Sequence, residues 1–173
     1  EKYNKQRILR YSYMTRILFV GTVEFSASIL TDLIAAGANI VGVCTSGNNN
    51  YNSDFSDLVP IAREFDIPFY LTTNINDQAT LSWIAESDPE VIFCFGWSQI
   101  FSKNLLEIPP LGVVGYHPAR LPRNRGRHPL IWSLVLGLKA TGSTLFVMDE
   151  GVDTGRIISQ KNVVIEAGDY ARD

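Results

Sequence analysis

Both histidines of the chain, His117 and His128, fall in one stretch, residues 115–128, which reads GYHPARLPRNRGRH. The stretch also holds Arg120, Arg123, Arg125 and Arg127 and no acidic residue. An imidazole can move protons near neutral pH and donate to developing negative charge. Guanidinium groups grip carboxylate or phosphate through paired N–H donors. The combination suits an anionic ligand held beside an imidazole. It equally describes a solvated basic loop whose arginines pair with surface acids, and residue types alone leave both readings open. Pro118 and Pro122 stiffen the loop and Gly126 frees it at one point, and stiffness lowers the cost of positioning a catalytic group.

A second cluster, residues 148–155 (MDEGVDTG), places Asp149, Glu150 and Asp153 among the glycines Gly151 and Gly155. Such a run is ordinarily a tight acidic turn, and it lacks the ligand spacing of an EF-hand loop. A carboxylate from it that reached His117 would hold the ring in one orientation. A third segment, Gly21-Thr22-Val23-Glu24, reads as a strand–turn–helix whose helix start could hold an anion. It is neither GxGxxG nor a P-loop, so dinucleotide and nucleoside-triphosphate readings lack support. No GxSxG occurs and neither cysteine has a histidine nearby in sequence, which argues against a nucleophilic mechanism. No metal set is expected.

These segments need a frame. Residues 17–21 (ILFVG), 40–45 (IVGVCT), 68–71, 91–95 (VIFCF) and 112–116 read as short buried strands, bounded by glycine or polar residues. Helical spacing covers 24–36, where Phe25, Ile29, Leu33 and Ala36 share a face and Gly37 is the stop. Further helices are expected at 58–65 and 78–87, and a polar, Asn-rich loop at 46–56. Residues 143–148 and 157–165 read as two more strands around the acidic turn. This alternation predicts an α/β fold, a mostly parallel sheet covered on both faces in three layers, Rossmann-like. Sites in such folds lie beyond the carboxyl ends of the strands, near a topological switch. The loops after Val20, Cys44, Phe95 and Tyr116 are therefore the ones to watch.

With 173 residues, the chain has room for one domain and a real core. The net charge of −3 gives no surface-wide bias toward nucleic acid. No apolar run approaches the length that spans a bilayer. Cys44 and Cys94 sit in strand-like runs without a CxxC, and read as reduced core cysteines of a cytoplasmic protein. Residues 1–13 are polar, basic and aromatic without a period, and are expected to be a leader or extension outside the fold. Residues 14–173 form the expected domain, with a further C-terminal domain expected to be missing.

Three segments carry a family resemblance. LFVGTVEFS resembles the FxGTPEF opening of folate-dependent formyltransferases. YHPARLPRNRG resembles their H-[PG]-S-x-L-P-x-x-R-G, and MDEGVDTGRIISQ resembles D-x-G-x-D-T-G-x-[IL]. The resemblance runs from about Arg16 to Gln160 and covers methionyl-tRNA, glycinamide ribonucleotide and nucleotide-sugar formyltransferases. It implies the formyltransferase fold and direct transfer of a formyl group from 10-formyltetrahydrofolate to a primary amine, with no covalent enzyme intermediate. His117 matches the catalytic histidine and would stabilise the oxyanion and assist proton transfer. Asp153 matches the aspartate that orients it. The folate is implied to lie near Phe95, Gly96, Trp97, Ser98 and Ile100 and the turn residues Asp149, Gly151 and Asp153. The acceptor is implied to lie toward Gly21, Thr22, Arg120, Arg123, Arg125 and Gly126.

The resemblance departs at two positions. The family asparagine, two residues ahead of the histidine, is here Gly115, and the serine after His-Pro is Ala119. Losing an oxyanion donor typically costs about 3–4 kcal/mol. Asn124, Ser143, His128 and a backbone N–H exposed by the glycine are the candidate replacements. The four arginines suit a phosphate-bearing acceptor, and a nucleotide-linked amino sugar is the first expectation. Methionyl-tRNA is the alternative, and nucleic acid is a partner only in that case. Gly115 motivates a reading of another class, a folate- or nucleotide-sugar-binding domain without catalysis.

Overall fold

The computed structural model describes residues 14–47 and 53–171. The expected leader, 1–13, and part of the expected Asn-rich loop, 48–52, lie outside the described residues. Seven strands form one sheet: β1 (Arg16–Val20), β2 (Asn39–Thr45), β3 (Phe69–Leu71), β4 (Val91–Cys94), β5 (Val113–His117), β6 (Ala140–Val147) and β7 (Ile157–Val164). Their order is β3-β2-β1-β4-β5-β6-β7. The first five run parallel, while β6 and β7 are antiparallel to their neighbours. The order reverses between β1 and β4, which makes the carboxyl ends of these two strands the switch point.

Five described helices accompany the sheet: α1 (Glu24–Ala35), α2 (Val59–Glu64), α3 (Gln78–Glu86), α4 (Lys103–Leu106) and α5 (Pro129–Val135). Adjacent residues of β1 enter different cores, as the two-residue strand period requires. Leu18 and Val20 join Cys44, Ile92, Cys94 and Val113, together with Ile84 of α3 and Leu105 of α4. Phe19 joins Val43 and Phe95, together with Leu30 of α1 and Ala62 of α2. Helices α1 and α2 therefore cover one face, and α3 and α4 the other, giving the expected three layers. Leu18, Phe19 and Val20 are fully buried, each worth about 1.5–3 kcal/mol in apolar burial. That burial on both faces is why the strand reads as an unbroken apolar run.

The structure adds to the expected elements. In helix α5 the apolar Ile131, Trp132 and Val135 are exposed while the polar Ser133 is buried, so no periodic stripe marks it. Helix α4 is a single turn, too short for a period. Strand β6 begins at Ala140 rather than 143, because Ala140, Thr141 and Gly142 pair with Val164, Val163 and Asn162. Strand β7 is the outer edge and nearly all of it is exposed, Gln160 being its one half-buried residue. No helix among the described residues is long and apolar enough to cross a membrane.

Candidate active site

His117 ends β5, on the same face as Val113 and Gly115, and is 5% exposed. Its Nε2 lies 2.7 Å from the carbonyl oxygen of Asn124. A carbonyl only accepts, so Nε2 carries a proton. Its Nδ1 lies 3.5 Å from Asp153 Oδ2, an electrostatic contact longer than a tight hydrogen bond. The same Asp153 oxygen accepts the Gly126 N–H at 2.8 Å. Strand β6 is antiparallel to β5, with Thr144 opposite His117 and Val147 opposite Val114. The turn after β6 therefore starts beside the amino end of β5 and must double back over the sheet to bring Asp153 to His117. Asp153 adopts φ 51°, as Asn124 does at 55° and His128 at 57°. Asn124 and Asp153, the two residues against the imidazole, thus both carry a left-handed backbone, a local cost of the kind that collects at functional sites, although Asp66 and Asp88 carry it elsewhere in the fold.

The basic loop is seated on the β6–β7 hairpin. Thr144 Oγ1 donates to the Ala119 carbonyl at 2.7 Å. Gln160 Nε2 donates to the Leu121 carbonyl at 3.0 Å and to Thr144 Oγ1 at 2.9 Å. Gly142 lets the loop approach, since a Cβ there would stand 2.9 Å from Arg120 Cα. Sequence reasoning passed over Thr144 and Gln160. The available signal was weak: two polar side chains at inward positions of strands whose outward faces are not clearly polar. Arg120, Arg123, Arg125 and Arg127 are all exposed, and none has an ion-pair partner among the described residues. Among the described residues the arginines are thus not paired with surface acids.

The loop after β4 has two characters. Phe95 is buried, with its N–H on the Val20 carbonyl and its carbonyl accepting Ser26 Oγ at 2.5 Å. The Ile100 carbonyl accepts Asn76 Nδ2 at 2.9 Å. Between them, the amides of Gly96, Trp97 and Ser98 have no partner among the described residues, and the buried Trp97 Nε1 has none either. In the acidic turn Asp149 is turned inward on its own segment: Oδ1 accepts the Gly151 N–H at 3.0 Å and the Thr154 hydroxyl.

In the turn after β1 the amides of Gly21 to Glu24 are engaged, which leaves those of Phe25 and Ser26 at the helix start. Gly21 N–H donates to Cys44, Thr22 and Val23 to Ser26 Oγ, and Glu24 to Asp54. A Cβ on Gly21 would stand 2.5 Å from the Phe95 carbonyl, and one on Gly96 would collide with Val23 and Ser26. Two βα turns therefore close on each other at the switch point. The imidazole and the carboxylate sit one strand further along, over β5.

Gly115 is packed, not open. A Cβ there would stand 2.9 Å from both Met148 Cγ and Phe146 Cζ. Of the candidate replacements for an asparagine, Ser143 is excluded, because Thr144 pairs with His117 and Ser143 must face the opposite side of the sheet. His128 is exposed at the start of α5. Asn124 alone of the three touches His117. Burial pushes the Cys44 thiol up to about 12 and pushes Cys94 up further, so both remain neutral thiols. No group of three or more His, Cys, Asp or Glu among the described residues is arranged to hold a metal ion.

Comparison with known proteins bears on this geometry. Methionyl-tRNA formyltransferase of Syntrophus aciditrophicus is 36% identical over 153 residues, 86% of this chain and 49% of that protein. The enzyme of Thermotoga maritima is 33% identical over 155 residues, 87% of this chain and 50% of that protein. The chain thus spans about half the length of these relatives. Among solved structures, phosphoribosylglycinamide formyltransferase from Bacillus halodurans superposes with a TM-score of 0.77 at 22% identity, over 91% of this chain and 84% of that one. A sugar 3N-formyl transferase solved with dTDP and 5-N-formyl-THF gives 0.69 at 23% identity, over 93% of this chain and 56% of that one. These likenesses agree on the fold. The formyl transferase family matches residues 15–173, essentially the whole described chain, and the chain belongs to that family.

Proposed function

We propose that the chain transfers a formyl group from 10-formyltetrahydrofolate to a primary amine on a phosphate-bearing acceptor, in the cytoplasm. The observation that carries this reading is the contact between His117 and Asp153, two residues far apart in sequence that meet at 3.5 Å over the end of β5. The amine attacks the formyl carbon, and negative charge develops on the formyl oxygen. Collapse of this intermediate breaks the bond from the formyl carbon to N10 of the folate, which takes up the proton the amine gives up and leaves as tetrahydrofolate. The His117 Nε2–H, held in place by the Asn124 carbonyl, is the donor that the formyl oxygen would share. Asp153, itself fixed by the Gly126 N–H, holds the opposite edge of the ring. The unpartnered amides of Gly96, Trp97 and Ser98 and the Trp97 indole N–H supply donors for a folate ring. Phe95 and Ile100 shape that loop, and Asp149 and Gly151 shape the acidic turn. Arg120, Arg123 and Arg125 supply the phosphate contacts, while Gly21 and Thr22 contribute shape only.

For the acceptor, the named relatives favour methionyl-tRNA over a nucleotide-linked amino sugar. An apolar groove of about 270 Å³ lined by His128, Ile131, Trp132 and Val135 follows the arginines directly, which suits an acceptor that carries an apolar group beside phosphate. A second reading, binding without transfer, draws on the packed Gly115, which supplies no donor. The test is tetrahydrofolate release from 10-formyltetrahydrofolate with methionyl-tRNA and with a panel of amino-sugar nucleotides. Turnover with one acceptor establishes transfer and names the substrate. Tight folate binding with no turnover on any acceptor establishes the second reading instead.

A further inference from the structure

We infer that Gln160 and Thr144 are positioning residues for His117, acting through the loop that follows it. The inference rests on the reading of His117 as the catalytic donor. His117, Thr144 and Gln160 lie opposite one another across β5, β6 and β7, so one row of the sheet runs from the edge strand to the imidazole. The proton directions in the row are determined. Thr144 has one hydroxyl proton and donates it to the Ala119 carbonyl, so it must accept from Gln160. The Gln160 amide has two protons on one nitrogen, and gives the second to the Leu121 carbonyl. Reversing the amide would set its oxygen against a carbonyl that can only accept. Thr144 and Ala119 are fully buried and Leu121 nearly so, so these carbonyls cannot turn to water instead.

The row clamps the near end of the loop, and the far end serves the imidazole. Three residues beyond Leu121, the Asn124 carbonyl meets His117 Nε2 at 2.7 Å. Two residues further, the Gly126 N–H meets Asp153. Releasing Leu121 would let Asn124 drift and leave the Nε2–H without a fixed direction. Strand β7 points to the same conclusion. It is an exposed edge that supplies no residue to either core, yet its half-buried Gln160 reaches across β6 to another strand's loop. A residue kept only for folding would more naturally be apolar and packed.

The experiment combines steady-state kinetics with imidazole NMR on the whole chain. Gln160→Glu keeps the shape but puts an acceptor against the Leu121 carbonyl, and Thr144→Val keeps the shape but removes the hydroxyl. Each is expected to lower kcat about ten- to hundredfold with the KM for the formyl donor within about twofold. Thr144→Ser is expected to restore most of the activity. Should Gln160→Glu fail to fold, Gln160→Met at the same exposed edge takes its place. A thermal midpoint that falls while kcat stays put would overturn the inference, as would a rise in KM alone. If the wild-type chain shows no transfer at all, the functional reading fails and the positioning claim is judged by NMR. The His117 Nε2–H, identified by its disappearance in His117→Ala, is expected to exchange with water at least about tenfold faster in Gln160→Glu. Unchanged exchange would overturn it.

Discussion

Two turns at strand carboxyl ends, residues 21–26 after β1 and 118–128 after β5, solve the same problem in opposite ways. The first is built around one of its own side chains, Ser26, whose Oγ accepts from Thr22 and Val23 and donates to Phe95 next door, with further backbone bonds to Cys44, Asp54 and Ser56. Its glycine lies against a neighbouring turn, and the amides of Gly21, Thr22, Val23 and Glu24 are all engaged. The second is held from outside, by Thr144, Gln160 and Asp153, from strands and a turn far along the chain. Its four arginines are exposed and have no ion-pair partner among the described residues, and its backbone departs from ordinary φ at Asn124 and His128. A turn built around its own hydroxyl is free to be structure. A turn that depends on distant residues keeps its own polar groups available for a ligand.

The largest effect expected from this contrast is at His117. His117→Ala should lower turnover by about 10²–10⁴-fold while far-UV circular dichroism and the thermal midpoint stay near wild type. Retained turnover would erase the distinction between the turns. Gly21→Ala tests the other side. Its methyl meets the Phe95 carbonyl and Ser26, so urea unfolding should show a loss of about 1–3 kcal/mol, with the remaining folded protein keeping its folate affinity. Gly115→Asn comes next. It should lower stability in the same assay, since Phe146 and Met148 must move, and it should not raise turnover. A gain in rate would mean that the strand had merely lost a donor and could take it back.

The smallest effect is expected at Asp77, which caps α3 by accepting the Thr80 N–H at 2.7 Å. That backbone hydrogen bond holds its carboxyl below the usual range. A carboxyl lowered in the folded state adds stability that is full above its unfolded value near 4 and is lost as pH falls through the lower folded value. Asp77→Ala should therefore lower the thermal midpoint slightly at pH 7, and the gap to wild type should close below pH 4. A constant gap would mean that the cap acts by shape alone.

Most of the frame could be read from the chain because parallel strands buried on both faces must be continuous apolar runs. Residues 17–20 and 91–94 announce themselves for that reason. Helix α5 did not, because its exposed Ile131, Trp132 and Val135 erase the polar face that periodicity needs. At the site, the residues that stood out were those with unusual chemistry concentrated in short segments, His117 and the arginines among them. The residues that hold the loop did not, because Thr144 and Gln160 are ordinary strand residues until the register sets them opposite His117. Nor could spacing show that Gly115 is filled by Phe146 and Met148, since the filling comes from a strand paired only in three dimensions.

The hairpin of β6 and β7 has a consequence for how such a site can change over generations. Its stem carries Thr144 and Gln160 and its turn carries Asp153, so one continuous segment, 144–160, holds the basic loop at both ends. Recombination or grafting would move that support as a single cassette. An insertion or deletion of one residue within either strand would slip the register and turn the stem residues to the wrong face. Length changes are therefore far better tolerated beyond the stem than inside it, and lineages that vary the arginine loop can do so against a fixed backing.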